Sequence, residues 1–108
     1  MNKTYHPDNW VLLEITDNDE VRYKVLAGWD GGYLGDDYWR ISSGVTDIQL
    51  EDGVCLIYNE SGSVYNCHKD CMRLNRLMGQ IYDDVFKACI GIDMTVSIVV
   101  DVGNVEVN

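Results

Sequence analysis

The sequence predicts an α+β protein: a twisted antiparallel β-sheet of about six strands, one long amphipathic helix, and a closing C-terminal strand. Three observations lead there. Between residues 11 and 68, short runs of β-branched, aromatic and alternating apolar and polar side chains are separated by Gly, Asn, Asp and Ser turns, which marks strands. From Cys71 the apolar residues change to steps of three and four, which marks a helix. The segment "MTVSIVVDV" then returns to β-branched residues. With 108 residues the chain is read as a single domain over 1–108 with a core of ordinary size, residues 1–9 being expected as a flexible start.

Each element follows in order. "VLLEIT", the turn "DNDE" and "VRYKVLAGW" form an antiparallel hairpin, in which Val21, Tyr23, Val25 and Ala27 alternate with Arg22, Lys24 and Leu26. The stretch "GWDGGYLGDDYWRISSG" carries Gly28, Gly31, Gly32, Gly35 and Gly44 around Trp29, Tyr33, Tyr38 and Trp39, more glycines than a plain turn requires. "YWRISS", "VTDIQLE", "VCLIYN" and "SVYNCH" read as the third to sixth strands, divided by turns at Ser43-Gly44, Glu51-Asp52-Gly53 and Glu60-Ser61-Gly62.

Leu74, Leu77, Met78, Ile81, Tyr82, Val85, Phe86 and Cys89 line one face of a helix spanning roughly 70–90. Asp70 is placed to cap its first turn and Gly91 to end it. Gly79 inside it costs about 1 kcal/mol relative to alanine, so a kink or a close approach is expected there. The closing strand has Val and Ile on both faces, as an inner strand or one buried between subunits would, and a homo-oligomer of at least two chains is expected.

Composition narrows the function. Eighteen acidic side chains against eight Lys and Arg give a net charge of −10, which excludes general nucleic-acid binding through many phosphate contacts. Scattered acids serve solubility or, alternatively, imitate DNA toward a protein partner. No run approaches the ~18 apolar residues of a membrane span, and the start "MNKTYHPDNW" lacks an apolar signal region, so a cytoplasmic protein without membrane contact is expected. Cys55, Cys67, Cys71 and Cys89 are then reduced thiols; a loose C-x3-C without a second ligand pair argues against a metal site, and no cofactor is expected.

Enzyme signatures are scarce. A nucleophile pair would have to be built on His68; of the adjacent pairs Asp36-Asp37 and Asp83-Asp84 the second, on the helix, suits a solvated face better than acid and base; and the nucleotide fingerprints are absent. Recognition is better provided for. Arg40 can stack on a ring or fork onto a phosphate, and Tyr65 offers a face to a nucleobase. Backbone N–H groups around Ser42, Ser43 and Gly44 and around Ser61, Gly62 and Ser63 can cradle an anion, with Lys24, Lys69 or Arg73 assisting. The same rings, Trp29, Tyr38, Trp39 and Tyr65, also suit a small core.

The strings "YKVLAGWDGGYLGDDYWRISSGV" and "SGSVYNCHK" resemble small proteins of tailed phages, and with the helix and strand that follow they are most similar to phage anti-Thoeris sponge proteins. That resemblance implies a non-enzymatic protein of the infected bacterial cell that sequesters cyclic ADP-ribose isomers, the signal of TIR-domain immune proteins, and so blocks anti-phage defence. It implies an adenine held between Arg40 and Tyr65, with Asn75, matched by spacing, contributing. The segment "DCMRLNRLMGQIYDD" departs from the family pattern, which is less helical and richer in Gly and Tyr there. An acidic protein-binding inhibitor or DNA mimic acting on a host protein is the alternative reading, and a small hydrolase the third.

Overall fold

A computed structural model describes residues 3–31 and 38–107. The positions Gly32, Tyr33, Gly35, Asp36 and Asp37 of the glycine- and aromatic-rich stretch lie outside the described residues. In chain order the elements are β1 (Thr4–Tyr5), β2 (Asn9–Asp17), β3 (Glu20–Trp29), β4 (Tyr38–Ile41), β5 (Val45–Glu51), β6 (Val54–Asn59), β7 (Val64–His68), α1 (Arg76–Gly91) and β8 (Met94–Val99). The α+β class holds, with the helix followed by a C-terminal strand.

The strands form two four-stranded sheets, ordered β1-β7-β6-β5 and β4-β3-β2-β8, where one sheet of about six was expected. The division falls at Ser42-Ser43-Gly44. There the chain leaves β4, which pairs with β3, and enters β5, which pairs with β6. Alternation explains the layering. Along β2, Trp10 and Leu12 join Val25, Ala27, Cys55, Ile57, Tyr65 and Cys67 in a core between the sheets. Val11 and Leu13 join Leu26, Met78, Cys89 and Val96 in a second core beneath α1. The sheet β4-β3-β2-β8 is thus the middle layer, with the other sheet on one face and the helix on the other.

Residues 3–9, expected as a flexible start, have fixed partners. Thr4 and Tyr5 run parallel to Val64 and Tyr65, the Val64 N–H donates to the Lys3 carbonyl at 2.8 Å, and the Asp8 N–H donates to the Gly28 carbonyl at 3.0 Å.

The helix begins later than periodicity suggested, and Asn75 rather than Asp70 caps it: its side chain accepts from the Met78 N–H. The cause is tertiary. Met72 bridges to Trp10 and the Arg73 N–H donates to the Trp10 carbonyl at 3.0 Å, so this stretch is extended beside β2 and the helix starts only beyond it. The helix ends at Gly91 as expected, although the left-handed backbone that follows sits at Asp93, with φ 58°. Gly28 permits the close approach of the helix start to the sheet, because a Cβ there would collide with the sulfur of Met78 and stand 3.2 Å from the Asn75 amide nitrogen.

Strand β8 is an edge strand rather than an inner one. Met94, Val96 and Ile98 pack toward the helix and Val99 toward the inter-sheet core, while Thr95 and Ser97 are exposed, so the strand is not apolar along both faces.

Gly79 also differs from expectation, for a Cβ added there meets nothing within 4 Å. Nothing packs closely enough to require glycine. Gly79→Ala should therefore raise stability by about 1 kcal/mol, read as a higher urea midpoint at an unchanged m-value.

Candidate functional site

The two serine turns meet because the β5–β6 hairpin brings their ends together. Val45 pairs with Asn59, and the Glu60 N–H donates to the Gly44 carbonyl at 2.8 Å. Asn59, 5% exposed, anchors the second turn: its side-chain amide donates to the Ser63 carbonyl at 3.1 Å and its carbonyl accepts from the Gly62 N–H at 2.9 Å. Above the turns lies a cavity of about 310 Å³, lined by Arg40, Ser42, Ser43, Ser61, Ser63 and Tyr65 together with Lys3, Tyr5 and Ile41. The structure thus gathers six of the side chains singled out from sequence and adds three that were not.

Strand pairing explains which residues converge. Arg40 lies opposite Ala27, whose side chain belongs to the inter-sheet core, so Arg40 emerges on that face beside β1 and β7. Lys24 lies opposite Leu13, which packs in the helix-side core. Lys24 therefore points to the other face and takes no part in the cavity.

Asn75 is on the helix side as well. Besides capping α1 at 2.8 Å, it donates to the Asp30 carboxylate at 2.9 Å. Asn9 donates to both oxygens of that carboxylate at 2.9 Å and accepts from Arg73 Nε at 2.8 Å. The bonds from Asn75 and Asn9, with Arg73 nearby, hold the Asp30 carboxyl below its ordinary pKa. Asn75 and Arg73 are thus fasteners between the helix start and the sheet. Lys69 lines a separate cavity of about 260 Å³, beside Cys55, Met72 and Val102.

Three of the turn amides that could cradle an anion are already engaged. The Ser42 N–H donates to the Val25 carbonyl and the Gly62 N–H to the Asn59 carbonyl, both at 2.9 Å, and the Ser61 N–H donates to Ser43 Oγ at 3.1 Å. Ser42, 4% exposed, accepts from the Val25 N–H at 2.9 Å and donates to the Ser43 carbonyl at 2.7 Å, so its hydroxyl extends the β3–β4 pairing. Gly44 leaves room for the Glu60 carboxylate, which a Cβ would meet at 2.7 Å. The turns also carry a run of three hydroxyls: Ser43 Oγ donates to Ser61 Oγ at 3.1 Å, and Ser61 and Ser63 share a hydrogen bond at 3.0 Å.

Tyr65 is 1% exposed and part of the inter-sheet core. Its ring is stacked on Tyr5, centroids 4.8 Å apart and planes 25° apart. Burial pushes its phenol up and the Arg40 guanidinium opposes the shift. Tyr5 also holds the guanidinium, with Arg40 Cζ 4.8 Å from its ring centre, and the Lys3 ammonium at 5.1 Å. Tyr5 therefore makes with Arg40 and Tyr65 the contacts expected of a bound base. Of the other rings, Trp29 packs edge-on against Tyr5 at 6.1 Å and stacks on Tyr38 at 4.7 Å, while Trp39 stays 42% exposed.

Tyr5 and Lys3 were missed because nothing in "MNKTYHP" is periodic. Only Pro7 hinted at order, since the residue before a proline favours extended backbone.

Ion pairs among the described residues join Arg22 to Glu20 and Lys87 to Asp83; Lys3 and Arg40 enter neither. No group of three metal-ligating side chains is found among the described residues, and the four cysteines are thiols. His68 is exposed, and its carbonyl accepts from the Trp10 indole at 2.7 Å.

Burial gives Tyr65 a stability role that can be measured apart from binding. Tyr65→Ala should cost about 3–5 kcal/mol by leaving a cavity and unstacking Tyr5, whereas Tyr65→Phe, which keeps the ring, should cost less than about 1.5 kcal/mol. Urea unfolding of the two variants checks the difference.

No protein-family model, no curated protein and no solved structure matches this chain.

Proposed function

We propose that the protein is a non-enzymatic binder that captures a small nucleotide-derived anion in the cavity between Arg40 and the serine turns. Following the resemblance to sponge proteins, the ligand is a signal of the cyclic ADP-ribose type, held intact in the cytoplasm of the infected cell. One observation carries this reading: in a chain of net charge −10, two cations without a carboxylate partner among the described residues border a cavity rich in hydroxyls. No His, Cys, Asp or Glu stands among the described residues lining it, which favours capture over hydrolysis. Tyr65 does not take the aromatic role expected of it: it supports Tyr5 from below, Tyr5 holds the guanidinium, and the ligand meets Arg40.

The proposal includes a homo-oligomer. Among the described residues, strand β8 leaves one edge without a neighbouring strand, and Ile90, Ile92 and Val100 nearby in sequence are 58%, 66% and 82% exposed, surface that a second chain would cover. Light scattering at micromolar concentration should give at least twice the 12.3 kDa of one chain; a monomer mass counts against this part.

For the capture itself, protein incubated with cyclic ADP-ribose, filtered and heated should release the nucleotide at its original mass. Arg40→Ala should weaken binding by roughly tenfold to a hundredfold, since about 1–3 kcal/mol of stacking and charge is lost. Accumulation of a hydrolysed product with turnover would establish the hydrolase instead.

A further inference from the structure

We propose that Lys3, Arg40 and the hydroxyls of Ser43, Ser61 and Ser63 form a phosphate subsite, which takes the phosphate ester of a sugar or nucleotide, with Tyr5 as the positioning residue for both cations. The inference rests on reading this cavity as an anion site, and it is independent of which nucleotide is captured.

Charge comes first. The average field of a chain with 18 acids and 8 Lys and Arg repels phosphate, so only a local excess of cations attracts it. Acids beyond about 8 Å are screened at physiological salt; the nearer Glu60 carboxylate lies against Gly44, and neither it nor any other described carboxylate lines this cavity. Lys3 and Arg40 supply the excess. Both cations stand close to one ring, 5.1 and 4.8 Å from the centre of Tyr5, and cation–π attraction restrains two side chains that would otherwise be mobile. Tyr5 is itself held, stacked on buried Tyr65 and carried on β1, which pairs with β7.

The hydroxyls add donors. Each serine has one O–H to give. Ser43 gives its proton to Ser61. If Ser61 then gives to Ser63, the Ser63 proton has no acceptor in the run; if Ser63 gives to Ser61, the Ser61 proton is the one left over. In either polarity one hydroxyl proton remains for an incoming oxygen, beside the ammonium and the guanidinium. Such charge-assisted contacts to a phosphate are the strong class of hydrogen bond.

Ligand class follows from what is already occupied. Tyr5 covers Tyr65, so a base gains nothing from Tyr65 without displacing Tyr5. The cavity, about 310 Å³, is at the small end for a ligand site. Phosphate and sugar are therefore the recognised parts, and the base contributes little.

Calorimetry at physiological ionic strength, where the surface acids are screened, with ribose 5-phosphate, AMP, adenosine and inorganic phosphate tests this. Ribose 5-phosphate and AMP should bind within about threefold of each other, inorganic phosphate more weakly, and adenosine not at all. Lys3→Ala and Arg40→Ala should each weaken ribose 5-phosphate by about tenfold or more. Lys3→Arg should restore it, Tyr5→Phe should keep it and Tyr5→Leu should lose it, all on variants whose circular dichroism matches wild type; Lys24→Ala, on the other face, is the control. The proposal is overturned if wild type ignores millimolar ribose 5-phosphate, or if the Lys3 and Arg40 variants bind it as wild type does. It is equally overturned if inorganic phosphate binds as tightly as the ester, which would leave an ion-only site. Cyclic ADP-ribose separates the two levels: ribose 5-phosphate bound while cyclic ADP-ribose is ignored leaves the subsite standing and ends the capture reading. Cyclic ADP-ribose bound at wild-type affinity by Lys3→Ala does the reverse.

Discussion

The burial of β2 on both faces is the constraint from which the rest of the architecture follows. Asn9, Trp10, Val11, Leu12 and Leu13 form an unbroken buried run, and a strand without a solvent face needs a layer on each side. The second sheet covers Trp10 and Leu12, and the helix covers Val11 and Leu13. Even the polar member of the run is matched, since Asn9 gives its amide protons to Asp30 and takes one from Arg73, as a buried amide must. Both the helix start and the end of β3 are therefore tied to the first residue of β2.

The same constraint locates the cavity. With β2 and β3 in the middle layer, the short edge strand β4 carries Arg40 on the inter-sheet side, and Ser42 closes the ladder to Val25 in both directions. The chain then crosses to the other sheet, and the hairpin of β5 and β6 returns a second serine turn to the first. A boundary between two sheets leaves an open seam, and β1 lies along it: Tyr5 fills the interior part of the seam and Lys3 its rim. Where two layers part, polar groups can gather without interrupting a strand ladder, which is why hydroxyls, a guanidinium and an ammonium coexist there with a core a few ångströms away.

Electrostatically the cavity is marked as much by the acids kept out of it as by the two cations that border it. Glu60 is the nearest acid by sequence to the serine run, and it is folded back over Gly44 rather than into the cavity. The Asp30 carboxylate is absorbed by Asn9 and Asn75 on the far face of the middle sheet. An acidic protein can hold an anion only where its own acids are turned away or already engaged, and this corner of the fold meets that condition among its described residues.

Much of this was legible in the sequence. "VTDIQLE" and "VCLIYN" coincide with β5 and β6, the hairpin "VLLEIT" to "VRYKVLAGW" lies within β2 and β3, and the helix ends at Gly91, because side-chain period and turn chemistry are local properties. Arg40 and the serine turns were legible for the same reason, as unusual residues at strand ends. Periodicity says which residues share a face but not which layer that face meets. Only the tertiary structure could therefore divide the strands into two sheets, place Lys24 and Asn75 on the face opposite Arg40, and delay the helix to Arg76 by drawing Met72 and Arg73 against Trp10. It also decided the role of Tyr5, whose partners Tyr65 and Arg40 are distant in sequence and are brought together by β1 joining β7 and by β4 joining β3, pairings that depend on the packed core and not on any local pattern.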